Sequence, residues 1–295
     1  MNPELKNTAI GRAISSLGKG TLSAANRIAL MLYLAGEQRR AQAPGSPPEA
    51  IRTRLKTGIV AHVYYPDLFG EILACQDNLP ADAICHVSAP PDVAEVLEPQ
   101  IRAMPSTHLH IVENRGRDIA PFLSILKSGA LDGLDAVLKI HSKRSPHLSH
   151  GGLLRRAMFQ ALAGRRDIVA RVLAIMEEPQ AGMVGWRRVF LTRQRHWHGN
   201  RDRVVALAAQ LDPPAQPVLS FFGGSMFWFR PQALRSIAAL PLSALDFEAE
   251  AGQIDGTLHH AIERLFAVAA VAASYRVVDT DGQVLLECAS PRVIV

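Results

Sequence analysis

Four stretches of this sequence gather side chains that could do chemistry. Glu113-Asn114-Arg115-Gly116-Arg117-Asp118 sets two guanidinium groups around a glycine, just ahead of an apolar helical run. A loop of that kind lets backbone N–H groups and arginine forks approach a phosphate closely. Asp118 reads first as the N-cap of the helix, with Pro121 tolerated in its first turn. Lys139-Ile140-His141-Ser142-Lys143-Arg144-Ser145-Pro146-His147 crowds cations onto the end of an apolar strand, which suits a diphosphate. Lys139 lies inside that strand, and a buried lysine needs a partner. His141, His147 and His150 could instead ligate a metal, but without a nearby Cys, Asp or Glu the signal is weak. Asp246, Glu248, Glu250 and Asp255 collect ahead of a helix. Asp255 there is an N-cap that the helix dipole favours, a general base for a reacting hydroxyl, or both. The arginines at 187, 188, 193, 195, 201 and 203, with His196, Trp197 and His198, read as an exposed basic-aromatic segment. Neither GxGxxG nor GxxxxGKS occurs, which argues against a dinucleotide fold and a P-loop.

These groups act together only if a scaffold brings them together. From residue 58 the pattern alternates. Residues 58–65 read as a buried strand, 68–76 as a helix and 83–88 as a strand. Residues 92–104 carry Val93, Val96, Leu97, Ile101 and Met104 at helical spacing. A strand at 107–112, a helix at 119–127 and a strand at 136–141 follow. The alternation predicts βαβ units around a mostly parallel sheet flanked by helices, with ligands beyond the carboxyl ends of the strands. Tyr65-Pro66-Asp67, residues 113–118 and residues 141–146 all fall just past a strand. The second half is less regular. Helices are expected at 153–163, 168–176, 232–239 and 256–273, and a strand at 224–229, apolar on both faces and therefore central. No internal repeat is visible.

At 295 residues the chain is long enough to bury a full core without staples. Its three cysteines, Cys75, Cys85 and Cys288, have no CxxC spacing, so a disulfide scaffold is not expected and a cytosolic location is the default. The net charge of +5 suits an anionic partner without choosing one. The apolar stretches at 28–35 and 265–273 fall short of the roughly 20 residues a membrane span needs. Residues 21–40 can form a helix ending in Arg39 and Arg40, docked on the main domain or lying on a membrane surface. Docking is favoured, because the polar face gains cations only in its last turn. Pro44-Gly45-Ser46-Pro47-Pro48 then reads as a linker. The expected organisation is a helical extension and linker at 1–50 and one domain at 51–295.

Five blocks, in order, carry a resemblance. His62-Val63-Tyr64-Tyr65-Pro66-Asp67, residues 113–122, residues 139–147, Gly224-Ser225-Met226-Phe227-Trp228-Phe229-Arg230-Pro231 and Gly252-Gln253-Ile254-Asp255-Gly256-Thr257 together resemble the rhamnan synthesis protein F family. The resemblance covers residues 58–276. It implies a GT-A-like nucleotide-sugar fold and a glycosyltransferase-like protein of bacterial surface polysaccharide synthesis, with rhamnose transfer the usual assignment. By analogy with inverting GT-A transferases, Tyr64 and Tyr65 would meet the nucleotide, with Asn114, Arg115, Gly116 and Asp118 around it. His141, Lys143 and Arg144, with Arg117, would stabilise the diphosphate. Gly223, Gly224, Trp228 and Glu250 would line the acceptor side, and Asp255 would be the base. Those enzymes end their fourth strand in an Asp-x-Asp metal motif, where this chain has His141-Ser142-Lys143. A cationic loop does not hold Mg²⁺ as paired carboxylates do, but it can stabilise a leaving diphosphate directly. No metal and no other cofactor are therefore expected, with Mg²⁺ or Mn²⁺ as the alternative.

The resulting expectation is an inverting transferase that uses a donor such as dTDP-rhamnose and a saccharide or lipid-linked saccharide acceptor. It would work in the cytoplasm, with peripheral contact at the inner membrane face as a variant. A reading from another class is a non-catalytic saccharide-binding or assembly subunit that keeps the fold, which the missing acidic pair supports. A nucleic-acid partner is not expected, because one basic loop lacks a docking motif.

Overall fold

The computed structural model describes residues 9–42, 50–142, 144, 151–253 and 255–288. The chain divides into two compact units, one of residues 1–47 and 143–160, the other of residues 48–142 and 161–295. In the smaller unit α1 (Ala9–Gln42) is longer than the apolar pattern predicts. Its C-terminal turns carry a Glu37–Arg40 ion pair at 2.7 Å, and Ile28, Met31 and Leu32 are exposed along it. Among the described residues no helix is long and apolar enough to cross a membrane.

The larger unit is a mixed α/β structure. Its first half runs β1 (Thr57–His62), α2 (Phe69–Gln76), β2 (Ile84–Ala89), α3 (Pro91–Arg102), β3 (Thr107–Ile111), α4 (Ile119–Lys127) and β4 (Ala136–His141). Each of these lies within two residues of its expected bounds, apart from β1, which stops at His62. Tyr64 and Tyr65 thus sit in the turn beyond the strand. Then come α5 (Gly151–Ala163), which crosses the division between units, α6 (Arg166–Met176), β5 (Ala181–Gly185), β6 (Phe190–Leu191) and α7 (Arg201–Ala208). The chain continues through β7 (Phe221–Phe222), β8 (Phe227–Phe229), α8 (Arg235–Ala238), α9 (Leu258–Ala272), β9 (Arg276–Asp279) and β10 (Val284–Leu286).

Eight strands form one sheet in the order β10-β9-β5-β8-β4-β1-β2-β3, and β6 pairs with β7 in a separate ribbon. β1 is parallel to β2 and β4, β2 to β3, and β5 to β9. β8 runs antiparallel to both β4 and β5, and β10 antiparallel to β9. The sheet is therefore mostly parallel, as expected, and the strand around Trp228 is central. It is shorter than expected, because Gly224 and Ser225 take positive φ values of 94° and 55° and make a turn instead. The strands at 181–185, 276–279 and 284–286 are not anticipated by the sequence pattern.

The strands that flank the switch in strand order are buried end to end: β1 and β4 expose nothing appreciable on either face. That burial explains their unbroken apolar runs. α9 is buried almost all round, although His259, His260 and Arg264 lie among its apolar residues. Its Phe266 packs on Phe122 of α4 and Phe227 of β8 at ring separations of 5.6 and 5.4 Å. α9 starts at Leu258 rather than 256, since Gly256 has φ 83°. Asp255 is accordingly not its N-cap. That position belongs to Thr257, and the Leu258 N–H is taken by the Glu248 carboxylate at 2.8 Å.

Candidate active site

The strand order reverses between β1 and β4, and their carboxyl ends open at that switch point. The lysine inside β4 finds its partner there. Lys139 Nζ donates to Asp118 Oδ2 at 2.6 Å, to the Ser225 carbonyl at 2.8 Å and to the Ser225 hydroxyl at 2.9 Å. The ammonium also lies 5.1 Å from the Phe122 ring centroid, within cation–π range. Asp118 does stand at the N-cap position of α4, but its carboxylate caps nothing; it is committed to Lys139, with His141 Nδ1 3.3 Å from the same oxygen. One ion pair thus joins the β3–α4 loop, β4 and the turn before β8. Lys139 is buried and Asp118 half-buried.

Beside this pair, the Ser142 hydroxyl accepts the N–H groups of both Tyr64 and Tyr65, at 2.8 and 2.9 Å. This ties the turn after β1 to the end of β4 and leaves Tyr64 exposed and Tyr65 half-buried at the opening. His62 Nδ1 lies 3.1 Å from the Ser88 hydroxyl, and burial pulls its pKa down to about 4 against the Asp118 charge. A neutral, hydrogen-bonded floor results.

The β3–α4 loop is strapped to the acidic loop ahead of α9. Gly116 (φ 60°) lies against Phe247, whose ring a Cβ there would meet at 2.5 Å. Arg115 Nη1 donates to the Phe247 carbonyl at 3.1 Å, and Arg115 bridges Ala249 through the backbone. Arg117 (φ 53°) forks onto Glu250 at 3.0 and 3.2 Å and reaches the Gln253 carbonyl at 2.5 Å. Those hydrogen bonds hold the Glu250 carboxyl below the usual range, against the effect of burial. Asn114 is exposed at the tip.

Asp255 accepts the Gly199 N–H at 3.0 Å, the Asn200 amide at 2.7 Å and Arg264 at 3.2 Å. Burial works to raise its pKa, but the Gly199 bond, the Arg264 charge and the Asn200 bond outweigh it and keep the carboxyl below its ordinary value. Gly223 and Gly224 form the turn before β8. The Gly223 N–H meets the Val189 carbonyl at 2.8 Å, and the Gly224 N–H meets Glu263 at 2.8 Å.

Of the residues singled out from sequence, Tyr64, Tyr65, Asn114, Arg115, Gly116, Arg117, Asp118 and His141 belong to these joined loops. Trp228 does not: it is fully buried in β8, with its indole N–H on the Leu162 carbonyl at 2.9 Å, and cannot touch an acceptor. Being apolar on both faces, β8 sinks its aromatic residues into the core. Lys143 lies outside the described residues, and Arg144 belongs to the smaller unit, so neither is placed in this site. The sequence reading overlooked Ser225, Arg264, His259 and His260. His259 and His260 are buried at the start of α9 around the Thr257 hydroxyl, each held neutral with a pKa of about 4 chiefly by burial. His259 feels the charges of Arg117, Asp118 and Glu250, which places the strap beside the floor. The available signal was an arginine and two histidines inside an otherwise apolar helical run. Among the described residues no three His, Cys, Asp or Glu side chains come together as metal ligands.

The family model for rhamnan synthesis protein F matches residues 44–275. The chain belongs to this family. Within the rhamnan synthesis protein F match lie all five blocks quoted above and every loop of the candidate site. Two curated relatives, both the uncharacterized protein WxcX from strains of Xanthomonas campestris pv. campestris, are 35% and 34% identical over 234 residues. The match takes in 76% of this chain and 32% of each relative, so the chain spans about a third of their length. Among solved structures, the mannosyltransferase PcManGT from Pyrobaculum calidifontis in complex with GDP-Man and Mn²⁺ is similar at 16% identity and a TM-score of 0.43, over 88% of this chain and 64% of that one. A likeness of that size decides nothing about the site.

Proposed function

We propose that this chain is a GT-A-like glycosyltransferase module, with residues 51–295 as the transferase domain and residues 1–50 as an extension. It transfers rhamnose or a related sugar, with inversion, from a nucleotide-sugar donor such as dTDP-rhamnose. The acceptor is a saccharide or lipid-linked saccharide of a growing bacterial surface polysaccharide or lipopolysaccharide. Family membership supports the reaction class. The observation that carries the site is the joining of the β1 turn, the β3–α4 loop and the β4 end at the switch point through Ser142 and the Lys139–Asp118 pair. Tyr64, Tyr65, Asn114 and Arg117 are then the groups presented to the donor, and Gly223 and Gly224 frame the acceptor side. The β4 end offers imidazole and hydroxyl groups, and its nearby carboxylate is engaged by a lysine. That donor set does not suit an octahedral Mg²⁺ or Mn²⁺. Metal-independent transfer is the consequence, with the Arg117 cation meeting the diphosphate charge. Asp255 takes the proton of the acceptor hydroxyl. The work is done in the cytoplasm, with peripheral contact at the inner membrane face as the alternative.

One observation favours a second reading. A base works best with a free oxygen and a pKa near the operating pH, whereas Asp255 is engaged by three donors and held low. A non-catalytic saccharide-binding or assembly subunit fits that geometry. Titration with nucleoside diphosphates and nucleotide sugars, in EDTA, separates the readings. The enzyme reading expects saturable binding, thermal stabilisation of about 2.7 kcal/mol at about 100 Kd, and sugar transfer that Asp255→Asn slows by roughly 10²–10⁴-fold. Binding without turnover favours the second reading. Binding only after Mn²⁺ or Mg²⁺ is restored refutes metal independence.

A further inference from the structure

Among the described residues, the loops around the candidate site carry the ion pairs Lys139–Asp118, Arg264–Asp255, Arg203–Glu248, Arg115–Glu113 and Arg117–Glu250. A diphosphate brings at least two negative charges, and a cation released from one of these pairs can meet it. The pairs differ in access. Side-chain exposure is 2% and 13% for Lys139 and Asp118, 4% and 21% for Arg264 and Asp255, but 37% and 28% for Arg117 and Glu250. Arg203 and Glu248 are as open, but the other oxygen of Glu248 holds the first N–H of α9, so that pair is fixed at one end. Among the described residues, two open pairs stand on the β3–α4 loop, Arg115 with Glu113 at 3.5 Å and Arg117 with Glu250. Arg115 is also held by the Phe247 carbonyl, whereas Arg117 makes the two-pronged fork onto its carboxylate, so Arg117–Glu250 is the pair whose geometry a phosphate can copy.

We propose that Glu250 is an internal stand-in for the donor diphosphate. It serves as a positioning residue for Arg117 in place of the acceptor-side role suggested by its sequence. The inference rests on the donor reading above and names how that site is kept ready. A carboxylate and a phosphate present the same two-oxygen edge to a guanidinium fork, so one can replace the other without moving the arginine. The fork in place has that geometry, with Nε and Nη2 of Arg117 on the two Glu250 oxygens. Arg117 is aimed by a left-handed backbone, φ 53°, which a non-glycine residue keeps only when its surroundings over-determine it. Those surroundings survive the exchange. Arg115 stays on the Phe247 carbonyl, and Glu248 stays on Leu258. The contacts given up are the fork itself and the Gly252 N–H on Glu250 at 2.9 Å, which then turns to water. Glu250 thus holds the guanidinium extended while the site is empty and competes with the donor for it.

The test is calorimetric titration of the full chain with dTDP, UDP and GDP, comparing the parent with Glu250→Gln, Arg117→Gln and the double variant. Glu250→Gln is expected to tighten binding of the preferred nucleotide by about two- to five-fold, the range of a half-exposed ion pair. Arg117→Gln weakens it, and in that background Glu250→Gln has no further effect. Glu250→Ala repeats the tightening, so a folding defect in one variant does not decide the result. Unchanged or weaker binding by both Glu250 variants, with the parent still binding, overturns the stand-in role and leaves the donor reading intact. If neither the parent nor Glu250→Gln binds any of the three nucleotides, the donor reading falls and the stand-in role falls with it.

Discussion

Lys139 shows how far a single residue can be read. A lysine amid Ala136–His141 demands a partner, and that demand is legible in sequence because an uncompensated charge in a buried strand is costly. The partner's identity was not legible. Asp118 already had a sufficient local explanation as an N-cap, and nothing in sequence shows that its carboxylate turns away from the helix. Ser225 was equally hidden, because its hydroxyl and carbonyl reach Lys139 only through a turn that the apolar pattern disguises as strand. The pair makes a direct prediction. Lys139→Met leaves a buried carboxylate without its lysine and should cost about 3–5 kcal/mol in urea unfolding. Asp118→Asn should also destabilise, and the double variant should lose clearly less than the sum of the two. Additivity within about 0.5 kcal/mol would show that the two groups do not interact.

At the scale of elements, the first half of the sheet was readable because its strands are continuous apolar runs separated by amphipathic helices. β5 escaped because its sequence, Ala-Gly-Met-Val-Gly, has little strand propensity. The packing explains the glycines: a Cβ at 182 would come within 2.4 Å of the Tyr275 Cβ, and one at 185 within 2.5 Å of the Phe222 ring. Close approach chose those residues over strand formers. The same logic governs Gly116. A Cβ there would lie 2.5 Å from Phe247 and 2.8 Å from the Ala120 Cβ, on a backbone at φ 60°. Gly116→Ala should therefore lower stability by about 1–3 kcal/mol through overpacking, and it should loosen the strap that carries Glu250. Thermal unfolding reads the first effect. The second appears as a changed nucleotide affinity in the same protein. A variant as stable as the parent would mean that Phe247 yields freely.

Across the whole molecule the histidines set a pH limit. Burial brings His62, His86, His259 and His260 each down to about 4; the strongest neighbouring charge adds to it at His86, His259 and His260, while the Asp118 charge opposes it at His62. In the unfolded chain they titrate near their ordinary value of about 6.5. Between those values the unfolded state binds more protons, so stability is complete above about 6.5 and falls as the pH drops toward 4. The low-lying carboxyls Glu248, Glu250 and Asp255 act in a lower window, so this loss precedes theirs. The urea midpoint should drop steeply between pH 6.5 and 5, and a flat midpoint over that range would contradict the burial of these rings. A last consequence follows from the sheet order. Within the sheet order, the leaf β3-β2-β1-β4 and the leaf β5-β9-β10 are joined by β8, whose three residues pair with β4 and of which Trp228 and Phe229 also pair with β5. β1, β2 and β3 pair with their neighbours in the chain, whereas Thr57 faces Ala136, Lys139 faces Phe227 and Ala181 faces Arg276 across roughly a quarter to a third of its length. Local pairings close early and distant ones late, since the loop entropy must be overcome before the contact returns anything. The pairings of β4 with β8 and of β5 with β9 are therefore expected to close after β1, β2 and β3 have paired, and the burial of Trp228 belongs to that later stage.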